Sequence, residues 1–426
     1  MGVGKKLYEA FRMASIAHAR WEIQMSQSIL RSKKRLLILG LMIIPIIFVS
    51  IAFAADLPSI LGGKKAYCPA FYTLFIFLVS IIIGLIAGLI TGCIGAGGGF
   101  IITPALMSAG VKGILAVGTD LTHIFAKAIM GSAVHRKLGN VSVGLAVAFV
   151  IGSVIGVSVG GVINRALYNI SPVLSDAFIS TVYVFILGFL GFYTMRDFLK
   201  LRKAGKEVSA HDGGEKEEAP SGATATTGLA MKLQSVNIPP RIAFDFDLVP
   251  GGRRIAAIFV AACGWVVGFV AAIMGVGGGF LTFPMFIYIL GVSSFTAVGT
   301  DIFQIIFTAG YASISQYAVY GFIFYTLATG MLLGSLMGIQ VGALTTKVVA
   351  GMYLRGFYAT AIIAGFLNRF LALPSKLRDL EVLSVSESVV YYLDKAGVIV
   401  FFAIVGAFAL WVSVKFFGNL RNLSEE

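Results

Sequence analysis

Gly95-Ala96-Gly97-Gly98-Gly99-Phe100 returns 180 residues later as Gly275-Val276-Gly277-Gly278-Gly279-Phe280, and both copies sit in sequence apolar enough to cross a bilayer. Glycine is about 1 kcal/mol less favourable than alanine inside a helix, so each block interrupts an otherwise helical span. A proline follows each block at the same distance, Pro104 and Pro284. Beyond it comes an identical Ala-Val-Gly-Thr-Asp, Ala116 to Asp120 and Ala297 to Asp301. Duplicated interruptions in hydrophobic spans point to a transport site made from discontinuous helices.

The rest of the composition fits that setting. Hydrophobic residues make up 58% of the 426 positions and charged residues 12%, against about 25% charged in a soluble globular protein. The chain is therefore read as a polytopic membrane protein forming one transmembrane unit. Its net charge of +13 would suggest nucleic-acid binding in a soluble protein. Here Lys and Arg gather in the N-terminal arm and the central loop, the positive-inside pattern of cytoplasmic segments, so no nucleic-acid partner is expected. Cys68, Cys93 and Cys263 lie far apart, without metal-ligand or redox spacing.

Apolar spans of about 20 residues suffice to cross a bilayer. They are expected over Leu36–Ala55, Phe71–Cys93, Ala116–Val134, Val141–Val162 and Asp176–Thr194, then from near Arg254, Ala297, Phe322 and Gly351, and over Val398–Val414. Short apolar segments, Phe100–Gly110 and Phe280–Gly291, follow the glycine blocks. Ala52-Phe53-Ala54 has the form of a signal-peptidase site, while the long basic region before it favours an uncleaved anchor. Residues Met1 to Arg35 read either as a helix on the membrane surface or as a basic arm without structure.

The duplication extends past its motifs. Gly95 pairs with Gly275 at an offset of 180, Asp120 with Asp301 at 181, and Gly152-Ser153 with Gly334-Ser335 at 182. Loop charges then set the topology. Arg196 to Arg254 holds ten Lys and Arg residues and reads as cytoplasmic, whereas Leu57 to Tyr67 holds only Lys64 and Lys65 and reads as outside. An odd number of crossings must separate them, so each half needs five crossings, the short segment included, and the two halves become inverted.

The expected fold is all-α: two inverted-topology repeats with broken helices, an extra N-terminal anchor and an extra C-terminal span. Its parts are a cytoplasmic basic arm (1–35), an anchor (36–56), repeat 1 (69–195), a partly disordered cytoplasmic linker (196–253) and repeat 2 (254–371). An extracytoplasmic loop (372–395), a final span (396–417) and a cytoplasmic tail (418–426) complete it. The longest outside loop is expected to carry a short surface helix near Val389–Leu393, and the linker only to join the halves.

The residues narrow the chemistry. A phosphate-binding loop ends in Gly-Lys-Ser/Thr, where this chain has Gly-Phe-Ile and Gly-Phe-Leu, and a dinucleotide fingerprint needs a third glycine where Phe100 or Phe280 stands. No cofactor follows from either. Two readings of the blocks stay open: discontinuous helices whose free amides and N-termini receive an anion, or close helix packing through small residues. Gly118-Thr119-Asp120 and Gly299-Thr300-Asp301 are expected to be second breaks, with Thr or Asp capping the half-helix that follows, or lining a midplane site.

In the first half Asp120, His123 and Lys127 share one helix face; the second half has Asp301, Gln304 and Thr308 there. Lys127 would contact substrate, pair with Asp120, or snorkel towards the cytoplasmic headgroups beside Arg136. The candidate site is Gly97, Gly98, Gly99, Gly118, Thr119, Asp120, His123, Lys127, Gly277, Gly278, Gly279, Gly299, Thr300, Asp301 and Gln304, with no catalytic or metal-ligating set and no enzymatic activity expected.

These motifs resemble the TauE/SafE family of sulfite and organosulfonate exporters. The resemblance is carried by the paired Gly-x-Gly-Gly-Gly-Phe blocks with Pro104 and Pro284, by Gly-Thr-Asp in both halves and by Gly139-Asn140-Val141 after a basic turn, over Tyr72–Met195 and Ile255–Val414. It implies a multipass inner-membrane transporter, often an exporter, of small sulfur-containing or carboxylate anions. The long arm and the long linker depart from the family pattern. The expected partners are a small anionic substrate and the lipid bilayer. The competing expectation is a cation- or proton-coupled uptake carrier in which Asp120 and Asp301 bind the ion.

Overall fold

The computed structural model describes residues 74–94, 98–137, 141–204, 228–245, 252–345, 349 and 351–418. The basic arm, the anchor, Gly97, the 206–227 stretch and the tail beyond Gly418 lie outside them. The first half comprises α1 (Leu74–Ile94), the short α2 (Gly99–Ser108), α3 (Gly113–Lys137), α4 (Val143–Ile170) and α5 (Pro172–Ala204). The second repeats this plan with α7 (Ala257–Met274), the short α8 (Gly279–Pro284), α9 (Ser294–Tyr311), α10 (Tyr325–Thr345) and α11 (Gly351–Asp379). Between them lie α6 (Gly228–Ser235) and an antiparallel hairpin of β1 (Arg241–Phe244) and β2 (Arg253–Ala256), and α12 (Glu387–Gly418) closes the chain. Up to Phe417 these elements belong to one compact unit.

Six of the described helices are long and apolar enough to cross a membrane. Their outward faces suit lipid: Val143, Val147, Ile151 and Ile155 form an exposed stripe at four-residue spacing on α4, and Phe185, Phe189 and Phe192 project from α5. In water such stripes would be a liability. This is an all-α polytopic membrane protein, whose small hairpin the hydropathy pattern did not anticipate.

Glycines decide how the halves pack. On α4, a Cβ at Gly152, Gly156 or Gly160 would run into the backbone of Ala261, Trp265 or Phe269 on α7. On α10, a Cβ at Gly334, Gly338 or Gly342 would do the same at Ile81, Leu85 or Leu89 on α1. Both registers ascend together, so both pairs are parallel, and each is equivalent to the other under the sequence duplication. Thus Gly88 abuts Ser335 and its counterpart Gly268 abuts Ser153. Such small-residue faces let helices approach to backbone contact. The remaining pairs are antiparallel: α5 meets α11 through Gly188 with Phe366 and Gly356 with Phe198, and α3 meets α9 through Phe125 with Gly310.

The short helices fit half of a membrane. Ten residues of α2 rise about 15 Å, half of a hydrocarbon core of about 30 Å. Proline removes a backbone donor, and beyond Pro284 the helix continues with wider i→i+5 turns over Met285–Leu290.

Two expectations change at the edges. The segment assigned to an outside loop is mostly helical, because α11 runs to Asp379 and α12 starts at Glu387. Val389–Leu393 belongs to that last helix rather than to a separate surface helix. The end of the linker is folded as well as connecting. Asp245 accepts hydrogen bonds from the Ser293 amide (2.9 Å) and hydroxyl (2.7 Å). The Ser293 hydroxyl in turn accepts from the Thr296 amide and caps α9. Gln234 and Arg253 donate to the carbonyls of Leu290 and Gly291, so the linker holds the turn that leads into α9.

Candidate functional site

The second glycine block needs glycine for its backbone. Gly277 and Gly278 have φ of 65° and 87°, in the left-handed region that side chains avoid. An alanine at Gly277 would also place its Cβ 2.6 Å from Ile124 on α3. In the first block, a Cβ at Gly99 would lie 3.1 Å from the Cα of Val276. The two blocks therefore touch each other, and both touch α3.

Each block also meets its own aspartate. A Cβ at Gly99 would come 3.3 Å from Asp120 Oδ2, and one at Gly279 would come 3.3 Å from Asp301 Oδ2. Gly99 opens α2 and Gly279 opens α8, so both carboxylates stand at the start of a short helix, where negative charge is favoured.

The expected second breaks are absent. Helix α3 runs unbroken through Gly118-Thr119-Asp120, and α9 through Gly299-Thr300-Asp301. One glycine in a long packed helix costs only about 1 kcal/mol, and Gly118 supplies close packing: a Cβ there would strike the Phe322 carbonyl and the Tyr317 ring. Gly299 is likewise buried. The threonines do cap helices, but in the opposite half. Thr119 Oγ1 accepts from the Phe324 amide at 2.9 Å, just before α10. Thr300 Oγ1 accepts from the Ser142 amide at 3.0 Å, just before α4. These two bonds are equivalents in the duplication.

The two aspartate environments differ. In the second half Gln304 Nε2 donates to Asp301 Oδ1 (3.0 Å), Thr308 Oγ1 donates to Gln304 Oε1 (2.7 Å), and Ser153 on α4 bonds Thr308 (2.8 Å). Gln304 Nε2 also reaches Thr282 Oγ1 at 3.5 Å. This is a closed chain of partners. In the first half Thr103 donates to Asp120 Oδ2 (3.1 Å) and Ser335 on α10 bonds His123 Nε2 (2.9 Å). Asp120 Oδ1 and His123 Nδ1 face each other at 3.7 Å, both side chains fully buried, and neither atom has a hydrogen-bond partner among the described residues. A buried polar atom without a partner costs about 1–3 kcal/mol. Lys127 Nζ donates to Thr91 on α1 at 3.2 Å, one turn before the first block, not to the carboxylate.

The structure thus gathers Gly98, Gly99, Asp120, His123, Gly277, Gly278, Gly279, Asp301 and Gln304 around the meeting of the blocks, with Lys127 beside α1 and Gly97 outside the described residues. Sequence reasoning gave no role to Thr103, Thr282, Ser153 or Ser335. The two serines carried a signal: they are equivalents in the duplication and polar residues in apolar spans.

Comparison with known proteins agrees with this architecture. The profile of the family described as Sulfite exporter TauE/SafE matches residues 79–368. The chain is 25% identical over 260 residues to the "Probable membrane transporter protein YjnA" of Bacillus subtilis (strain 168), a match covering 58% of this chain and 82% of that protein. No solved structure matches.

Proposed function

The chain belongs to the sulfite exporter TauE/SafE family, and from that premise we propose that this membrane transporter moves small anions such as sulfite or organosulfonates across the bacterial inner membrane by alternating access. The observation that carries the proposal is the contact of the two glycine blocks, Gly99 against Val276, beside two buried aspartates. Non-helical backbone at membrane depth is tolerated where protein buries it or where it lines a cavity. The two short helices begin at this contact, which suits an anion held by backbone amides of the blocks.

The packing supports inverted repeats. The first helix of each half lies parallel to the fourth helix of the other, as α1 with α10 and α7 with α4. The equivalent third helices, α3 and α9, and fifth helices, α5 and α11, lie antiparallel, which fits halves that run oppositely. Thr119 and Thr300 tie each half to the start of the other's fourth helix, so they serve as joints of the rocking units more than as ligands. In this reading both termini are cytoplasmic.

The test is counterflow of labelled sulfite in proteoliposomes, with Lys127→Gln and Lys127→Arg at equal protein content. Sulfite exchange that falls in Lys127→Gln and is retained in Lys127→Arg places the ammonium on the anion's route. Unchanged exchange in both removes Lys127 from it. No exchange in the native protein overturns the transport of these anions.

A further inference from the structure

We propose that Asp120 and His123 together hold one proton that travels with the anion, making this protein an electroneutral proton–anion symporter; the inference rests on the anion-transport reading above. Among the described residues, Asp120 Oδ1 and His123 Nδ1 are the two buried atoms of the site without partners, and they point at one another. Ser335 Oγ lies 3.2 Å from the Leu332 carbonyl and 2.9 Å from His123 Nε2. We assign the neutral ring's hydrogen to Nε2, the tautomer in which the Ser335 hydroxyl donates to that carbonyl, its oxygen accepts from the ring, and a bare Nδ1 lone pair faces a bare carboxylate oxygen. One added proton on either atom replaces two opposed lone pairs by a donor facing an acceptor, and a closing of the 3.7 Å gap then makes the hydrogen bond that satisfies both.

The other oxygen of Asp120 explains why the proton moves with an anion. It lies against Gly99 at the start of α2, where it supplies the negative charge that this helix end favours. A substrate anion arriving at the block meets that same charge. Protonation of the pair removes the repulsion and leaves the helix end to the substrate, so proton and anion load together. Among the described residues the second half has no such open pair, because the Gln304 amide already donates to Asp301. One proton per anion follows.

The pair is also placed to sense movement. Asp120 is held by Thr103 from the first half and His123 by Ser335 from the second, so a shift of one half against the other stretches or closes the 3.7 Å gap. Among the described residues, the charged or titratable groups acting on the pair are Lys127 on the same helix and Tyr183 from α5, whose hydroxyl donates to the Met274 carbonyl. Helices α2 and α10 contribute neutral hydroxyls.

The experiment uses the purified full chain in proteoliposomes, with methanesulfonate as probe because its sulfonate stays ionised at every pH used. An internal pH dye and a potassium–valinomycin clamp follow protons and voltage. The expected result is one proton entering per methanesulfonate, driven by a pH gradient and indifferent to the clamped potential. Methanesulfonate uptake that follows the potential while the dye stays still overturns the proposal and leaves the transport reading standing. Absence of both methanesulfonate and sulfite movement overturns the transport reading and this one with it. Infrared titration of the detergent-solubilised protein tests the pair without transport. A protonated-carboxyl band is expected that vanishes in Asp120→Asn and changes its pH midpoint in His123→Gln. A band that His123→Gln leaves in place, or that survives in Asp120→Asn, overturns the assignment.

Discussion

The aspartate of the first half and that of the second occupy equivalent positions, each against the last glycine of its block, yet one environment is open and the other closed. Asp301 has a permanent donor in Gln304, which is itself held by Thr308 and, through it, Ser153. Asp120 Oδ1 faces His123 Nδ1 across a 3.7 Å gap, and neither atom has a partner among the described residues. Duplication thus supplied two copies of one scaffold, and two differences on a single helix face, His123 against Gln304 and Lys127 against Thr308, divided the labour. A fixed amide makes a structural strut; an imidazole in the same place makes a group that changes state.

The largest effect should come from the carboxylates. Asp120→Asn, which fixes this side chain in a neutral form, is expected to reduce methanesulfonate uptake driven by a pH gradient more than tenfold, equivalent to more than about 1.4 kcal/mol. Asp301→Asn should reduce it less, because the side-chain amide that replaces the carboxylate can still bond Gln304. Equal losses would erase the difference between the halves. Next come the glycines. Gly277→Ala combines a left-handed backbone with a 2.6 Å approach to Ile124, and should lower stability by about 1–3 kcal/mol. Gly99→Ala, whose Cβ would lie 2.9 Å from the flexible end of Ile124, should lower the melting temperature in nanodiscs by less. A larger shift for Gly99→Ala would move the tightest joint to the first block.

The smallest effect is the most discriminating. Ser335→Ala and Ser153→Ala each remove one buried hydroxyl with two hydrogen bonds, each bond worth about 1 kcal/mol, so their thermal shifts should match. Only Ser335→Ala should alter the pH profile of transport, because Ser335 bonds His123 directly whereas Ser153 bonds the neutral hydroxyl of Thr308. The same profile change in both variants would mean that the second half also titrates.

Much of this architecture was legible beforehand. The spans from Phe71, Val141, Asp176 and Gly351 correspond to α1, α4, α5 and α11, because a run of apolar residues in a bilayer has to satisfy its backbone within the helix. The short segments after the blocks were legible from glycine and proline alone. Gly118-Thr119 misled for an instructive reason: a glycine and a threonine read as a break in isolation, but here Gly118 admits the Phe322 backbone and Thr119 caps the helix behind it. The extensions of α11 and α12 towards residue 383 were missed because their sequence is not continuously apolar, so hydropathy carries no signal there.

From its amino acids alone the chain could be assigned its membrane setting, its duplication, the breaks at its two glycine blocks and the shared face of Asp120, His123 and Lys127. These are local properties, set by transfer of side chains into lipid and by the conformations open to glycine and proline. Only three-dimensional packing settled that the blocks touch, that each half caps the other's fourth helix, that Lys127 turns to Thr91, and that two buried atoms of Asp120 and His123 are left facing one another. Most of these contacts join residues far apart in the chain, 205 positions for Thr119 with Phe324 and 212 for His123 with Ser335. Hydrogen-bond partnership at that distance depends on packing register, which no local pattern encodes.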